Sequence, residues 1–295
     1  MKKKEFKLIF YFLTVLGIFS FLIPALALAN QKPLSIWGQE LNYEVVSLSN
    51  KHRSYDGLAI RLNRSGKKIN RVILNTAYFQ QEATEIWEDF QYNPKPSVIV
   101  SPNLMTFLVN LMETNRNFSQ KQSLISQLGE LKEQLQYAAW QKVYAKAKNK
   151  KEFIRLFIQT RKKTIEYHEL SHLLDAVLWE KQQLTSHEMR DEKQFAHDTE
   201  VRAFLTELVY GPNPQDSLWQ IVTGVLQEIK QGRSIDYSVE KLKDILVMAQ
   251  AINWIPRGEL LCFLCFLSKE SATDIATKLY HRYTLATHQW KRGLL

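Results

Sequence analysis

Apolar and polar positions follow two different periods along this chain, and the change from one to the other divides it. Between residues 34 and 101 the period is two. Gly57-Leu58-Ala59-Ile60-Arg61-Leu62-Asn63 and Asn70-Arg71-Val72-Ile73-Leu74-Asn75 flank a turn at Arg64-Ser65-Gly66-Lys67, which predicts a β-hairpin. Ser97-Val98-Ile99-Val100-Ser101, after Pro94 and Pro96, predicts another short strand, with a helical piece from Glu82 to Phe90 between. From Asn103 onward the period is helical. Leu104, Phe107, Leu108 and Leu111 share a face, as do Leu124, Leu128, Leu131, Leu135 and Ala138. Gly211-Pro212-Asn213-Pro214 is the clearest stop signal and ends a helix at about Tyr210. Further helices are expected over 217–230, 238–251, 257–267 and 271–283. The fold class that follows is α+β and predominantly helical, with a small strand region at about 57–101 ahead of a helical core. No repeat or linker divides residues 30–295, which predicts one domain.

The first residues follow neither period. Lys2, Lys3, Lys4 and Lys7 precede an apolar run from Leu8 to Ala29, interrupted at Pro24 and ending in Ala27-Leu28-Ala29. A positive start, an apolar stretch and small residues at its end are the layout of a secretory signal peptide, here residues 1–29. Its length also suits an uncleaved anchor. Either way the expectation is an exported chain, periplasmic or secreted, touching membrane only through this segment. Loss of its four lysines and one glutamate takes the formal charge from +9 to +6. That balance, with short basic clusters such as Lys148 to Lys151 and no aromatic interleaving, gives no reason to expect a nucleic-acid partner. The two cysteines, Cys262 and Cys265, lie in the apolar run Leu260 to Leu267 and read as small buried side chains.

The candidate chemistry is in His168-Glu169-Leu170-Ser171-His172. Histidines four apart on a helix stand one above the other, so both imidazoles reach one zinc ion. Glu169 lies about 100° around the helix from His168, placed to act as a general base rather than a ligand. Asp175, one turn after His172, is placed to accept that ring's other N–H. A catalytic zinc site takes three protein ligands and keeps one position open. Position 178 is Leu, so no third histidine follows six residues on. The stronger third ligand is Glu200, on a helix expected to begin at Asp198 or Thr199 and to run to Tyr210. Ala203 permits close approach to the motif helix, Glu207 shares the Glu200 face and suits the orientation of a ligand, and Arg202 suits the steadying of a carboxylate. Tyr210, His281 and Tyr283 are available as oxyanion donors.

With His168, Glu169 and His172 as the core and Glu200 to Ala203 as Glu-x-x-Ala, residues 160–210 resemble the gluzincins. These are H-E-x-x-H metallopeptidases whose third ligand is a Glu on a following helix. The resemblance implies one zinc ion, a peptide or protein substrate, and peptide hydrolysis with Glu169 as base. Glu192 stands at the separation seen in the thermolysin-like branch and is a rival third ligand, ranked second because its surroundings are polar. In these families a sheet whose edge strand holds the substrate lies just upstream of the motif helix, whereas here some sixty helical residues intervene. Two other readings share the motif: a non-catalytic helical protein that keeps zinc for stability or partner binding, and a zinc amidase acting on cell-wall peptide.

Overall fold

The computed structural model describes residues 32–50, 56–64, 67–92, 104–113, 118–181, 192–231, 242–247 and 264–292. They form an α+β fold in which helices predominate. Strands β1 (Lys32–Ile36), β2 (Gln39–Leu48), β3 (Gly57–Arg64) and β4 (Lys67–Asn75) make one sheet of order β1-β2-β4-β3. Helices α1 (Thr76–Tyr92), α2 (Leu104–Glu113), α3 (Phe118–Lys146), α4 (Lys150–Lys181), α5 (Glu192–Tyr210), α6 (Pro214–Lys230) and α7 (Lys269–Arg292) follow.

The hairpin expected at 57–75 is present as β3 and β4, antiparallel, with Leu62 opposite Ile69 and Ala59 opposite Val72. β4 also pairs with β2 in parallel, which leaves β3 on the edge of the sheet. The stretch of period two ahead of residue 57, where the sequence named no individual strand, is also strand. β1 and β2 form a second antiparallel hairpin closed at Trp37-Gly38, where φ is 50° and 73°. Positive φ at both central residues is the requirement of a type I′ turn, and a bulky residue rarely meets it. Here tertiary contacts hold Trp37 in place. Its backbone N–H donates to Tyr210 Oη at 2.9 Å, its indole Nε1–H donates to Thr206 Oγ1 at 2.9 Å, and its ring stacks on Tyr280 at 3.7 Å. The strand expected at 97–101 lies outside the described residues, as do most of the helices expected at 238–251 and 257–267. Cys262 is also outside them, while Cys265 is buried.

Two apolar clusters meet on α4. Its first half sends Phe153 and Phe157 into a helical core with Leu124, Leu128, Leu131, Leu135 and Trp140 of α3 and the buried face of α6. Its second half sends Ile165, Leu170, Leu173 and Leu174 against Ile36, Leu41, Val72 and Leu74 of the sheet. One helix therefore crosses from an all-helical layer to a sheet, and the H-E-x-x-H residues sit where it does so. Helix α5 starts at Glu192, six residues ahead of the expected cap, so Asp198 is an interior helical residue. Straight-chain residues at 192–194, Glu, Lys and Gln, sustain a helix, and propensity there outweighs the local capping signal. Its C-terminal end is closed by Lys269, whose ammonium donates to the carbonyls of Leu208, at 2.9 Å, and Gly211. Among the described residues, no helix is long and apolar enough to cross a membrane.

Candidate metal centre

His168 and His172 project from one face of α4 toward Glu200 of α5. The two Nε2 atoms stand 3.2 Å apart. Glu200 places Oε2 3.6 Å from His168 Nε2 and Oε1 3.5 Å from His172 Nε2. All three ligand atoms lie within 4.8 Å of one another. Ligand atoms about 2.0–2.2 Å from one zinc ion at tetrahedral angles stand about 3.3–3.6 Å apart. The two histidine nitrogens are 3.2 Å apart and the Glu200 carboxylate approaches each ring at 3.5–3.6 Å through a different oxygen, so the cluster is of a size to hold one ion. The donor set also fits: two imidazole nitrogens and one carboxylate, with a fourth position available. Exposure rises across the site, from 13% at His168 and 23% at His172 to 34% at Glu200, so it opens toward solvent on the Glu200 side.

The chemistry of His168 is fixed from behind. Its Nδ1 lies 2.6 Å from Glu207 Oε1, so in the neutral ring the Nδ1–H donates to that carboxylate and Nε2, the atom that faces Glu200, is the one left to bind a metal. Phe204 meets the ring edge-on at 4.9 Å and further restricts it. Burial alone would push the imidazole down, but its bonds to Glu200 and Glu207 hold it well above the ordinary histidine range.

Glu169 is nearly buried, at 7% exposure, and lies under the sheet edge rather than in the ligand triangle. A Cβ on Gly57 would fall 2.4 Å from Ile165 Cγ2 and 2.7 Å from Glu169 Oε1, so only glycine lets β3 come this close. Burial pushes the Glu169 carboxyl up to about 7, against the opposing effects of the His168 charge and the nearby Ala59 backbone.

Glu200 thus meets both histidines. Glu192, the rival, opens α5 two turns earlier, and its side chain lies outside the described residues. Asp175 does not take the role expected of it. Both its oxygens receive the Arg202 Nε–H, at 3.0 and 3.3 Å, and the histidine-orienting carboxylate is Glu207, acting on His168. Tyr210 is packed against Tyr167 and accepts the Trp37 N–H, while His281 is exposed on α7. The side chain of Tyr283 lies outside the described residues. Two participants escaped the sequence pattern, Gly57 and Ala59. A glycine opening a strand was their only trace, and nothing local ties it to a helix more than a hundred residues away.

No protein-family model, curated protein or solved structure matches this chain. The functional reading therefore rests on the site alone.

Proposed function

We propose that this chain is an exported zinc metallopeptidase of the gluzincin kind, with His168, His172 and Glu200 holding one zinc ion and Glu169 as general base. The observation that carries the reading is geometric: the His168 and His172 Nε2 atoms stand 3.2 Å apart, the Glu200 carboxylate meets each at 3.5–3.6 Å, and the nearly buried Glu169 carboxyl lies beside them. When bound, zinc supplies Lewis acidity at neutral pH, both to a water and to a substrate carbonyl. The chain supplies the rest. A carboxyl with a pKa near the working pH accepts a proton readily and returns it readily, here from the attacking water to the leaving amine. The close approach of Gly57 limits where Glu169 Oε1 can be. Glu207 fixes the His168 ring.

The substrate is an extended peptide or protein segment. β3 lies on the sheet edge directly above Glu169, and an edge strand binds a peptide by adding it as a further strand. This placement answers the long helical stretch between the strands and the motif: the sheet reaches the motif helix through space. Export follows from the N-terminal segment, which lies outside the described residues.

The test is Glu169→Gln. The variant should keep its zinc and lose about 10²–10⁴-fold in kcat on an unfolded protein or a cell-wall peptide. Comparing the two substrates separates a peptidase from a cell-wall amidase. Zinc binding with native-level turnover in the variant would sink the catalytic assignment and favour a metal kept for stability.

A further inference from the structure

Behind His168, on the side away from Glu200, lies a second group of buried polar side chains that hydrolysis does not use directly. Arg161, Thr164 and His168 follow one another at i, i+3 and i+7 and share one face of α4. Opposite them stand Glu207 of α5 and Asp216 in the first turn of α6. The two helices are joined by the tight turn at Gly211-Pro212-Asn213, where Gly211 N–H bonds the Glu207 carbonyl at 2.7 Å. That turn brings the two carboxyl groups to the same side of α4.

Each carboxyl commits one oxygen to α4. Glu207 Oε1 takes the His168 Nδ1–H, and Asp216 Oδ2 takes an Arg161 Nη1–H at 3.2 Å. The other oxygen of each, Glu207 Oε2 and Asp216 Oδ1, is buried without a hydrogen-bond partner, and so is the Thr164 hydroxyl. Thr164, Glu207 and Asp216 are 0%, 1% and 0% exposed. They are also neighbours. Glu207 acts through charge on the Asp216 carboxyl, and Thr164 lies against that carboxyl without reaching hydrogen-bond geometry. A buried polar group without a hydrogen bond is costly, and one shared partner would satisfy all three.

We propose that Thr164 Oγ1, Glu207 Oε2 and Asp216 Oδ1 bind one internal water, which couples the His168–Glu207 pair to the Asp216–Arg161 pair. The bonding is complete: the water donates one hydrogen to each carboxylate and accepts the Thr164 hydroxyl proton, within the two to four partners an internal water takes. A cation is the poorer occupant, because Arg161 already lies 3.2 Å from Asp216. Thr164 and Asp216 then act as positioning residues. They limit the rotation of Glu207, and Glu207 in turn limits the His168 ring whose Nε2 faces the metal.

The inference rests on the proposed zinc site, so its test separates the two. Zinc affinity is measured by chelator competition on the native chain, Thr164→Val and Thr164→Ser, with the visible spectrum of each cobalt-loaded protein. Valine keeps the shape of threonine and removes the hydroxyl; serine restores it. Thr164→Val should bind zinc about tenfold more weakly and shift the cobalt bands, and Thr164→Ser should return both toward the native values. A crystal structure should show one water bonded to all three oxygens. Native affinity in Thr164→Val, or Glu207 bonded directly to Asp216, overturns the bridge and leaves the zinc site standing. A native chain that binds no zinc overturns the metal reading and the positioning role with it.

Discussion

Glu169 is positioned by a residue that has no side chain. Gly57 brings β3 so near that any Cβ would meet both Ile165 and the Glu169 carboxylate. Gly57→Ala should therefore displace the base while leaving the ligands alone. The expected result is a loss of more than about tenfold in kcat/KM with zinc content unchanged, and a stability cost of about 1–3 kcal/mol from overpacking. Native kinetics in that variant would show that the base tolerates displacement. At this scale the sequence was informative only where function is contiguous. His168, Glu169 and His172 announce themselves by spacing along one helix. Glu200 could be singled out because it lies on the next helical segment, with Ala203 one turn on. The partner of His168 was another matter. Asp175 had the right spacing, but a buried carboxylate goes to the nearest charge, and Arg202 is 3.0 Å away. Glu207 has the role because α5 presents it to the Nδ1 side of His168, which spacing on α4 alone does not reveal.

Helix α4 draws charge into the core at Arg161, which is wholly buried and surrounded by acids from three other segments. Its guanidinium reaches Glu82 of α1 at 3.2 Å, Asp216 of α6 at 3.2 Å and Asp56, just ahead of β3, at 3.4 Å. Three carboxyls around one cation leave excess negative charge in a poorly solvated place. Burial pushes the Glu82 carboxyl up to about 7 from its ordinary 4.5, although Arg161 opposes the shift. Between those two values the folded chain keeps a proton that the unfolded chain has released. This group therefore favours the fold fully below about pH 4.5, and the contribution fades as pH rises through about 7. Glu82→Gln has no such proton to lose. Its urea midpoint relative to the native chain should rise from about pH 5 to about pH 8. A difference that stays constant with pH would show that Glu82 is ionised throughout. Elements were legible in proportion to their self-sufficiency. α6 and the β3–β4 hairpin carry their own periodicity and turn. The β1–β2 hairpin does not, since its turn depends on Trp37 at a φ of 50° and on Tyr280 from the last helix described.

Across the whole molecule, the cluster of His168, His172 and Glu200 joins α4 to α5 at the boundary between the helical core and the sheet. A ligand that binds the folded state alone stabilises it by about 2.7 kcal/mol at a hundred times its dissociation constant. For a chain of this size that corresponds to about 4–5 °C in Tm. Scanning calorimetry with a zinc chelator should show such a decrease, and added zinc should reverse it. A Tm indifferent to chelation would mean that zinc does not bind these residues. The fold class is visible in the change of hydrophobic period, because the division into strands and helices is local. The meeting of β3 with α4 is not, because nothing in either segment encodes the other. Trp37 raises a question of timing. It is held by Thr206, Tyr210 and Tyr280, and Thr206 Oγ1 lies 3.1 Å from Ser171 Oγ, inside the H-E-x-x-H helix. Contacts that span so much of the chain close late, since the entropy of the intervening loop must be lost first. On the proposed reading, a chain threaded through a membrane with its first strand leading would carry an unfinished site until α7 had crossed, and hydrolysis would begin only on the far side.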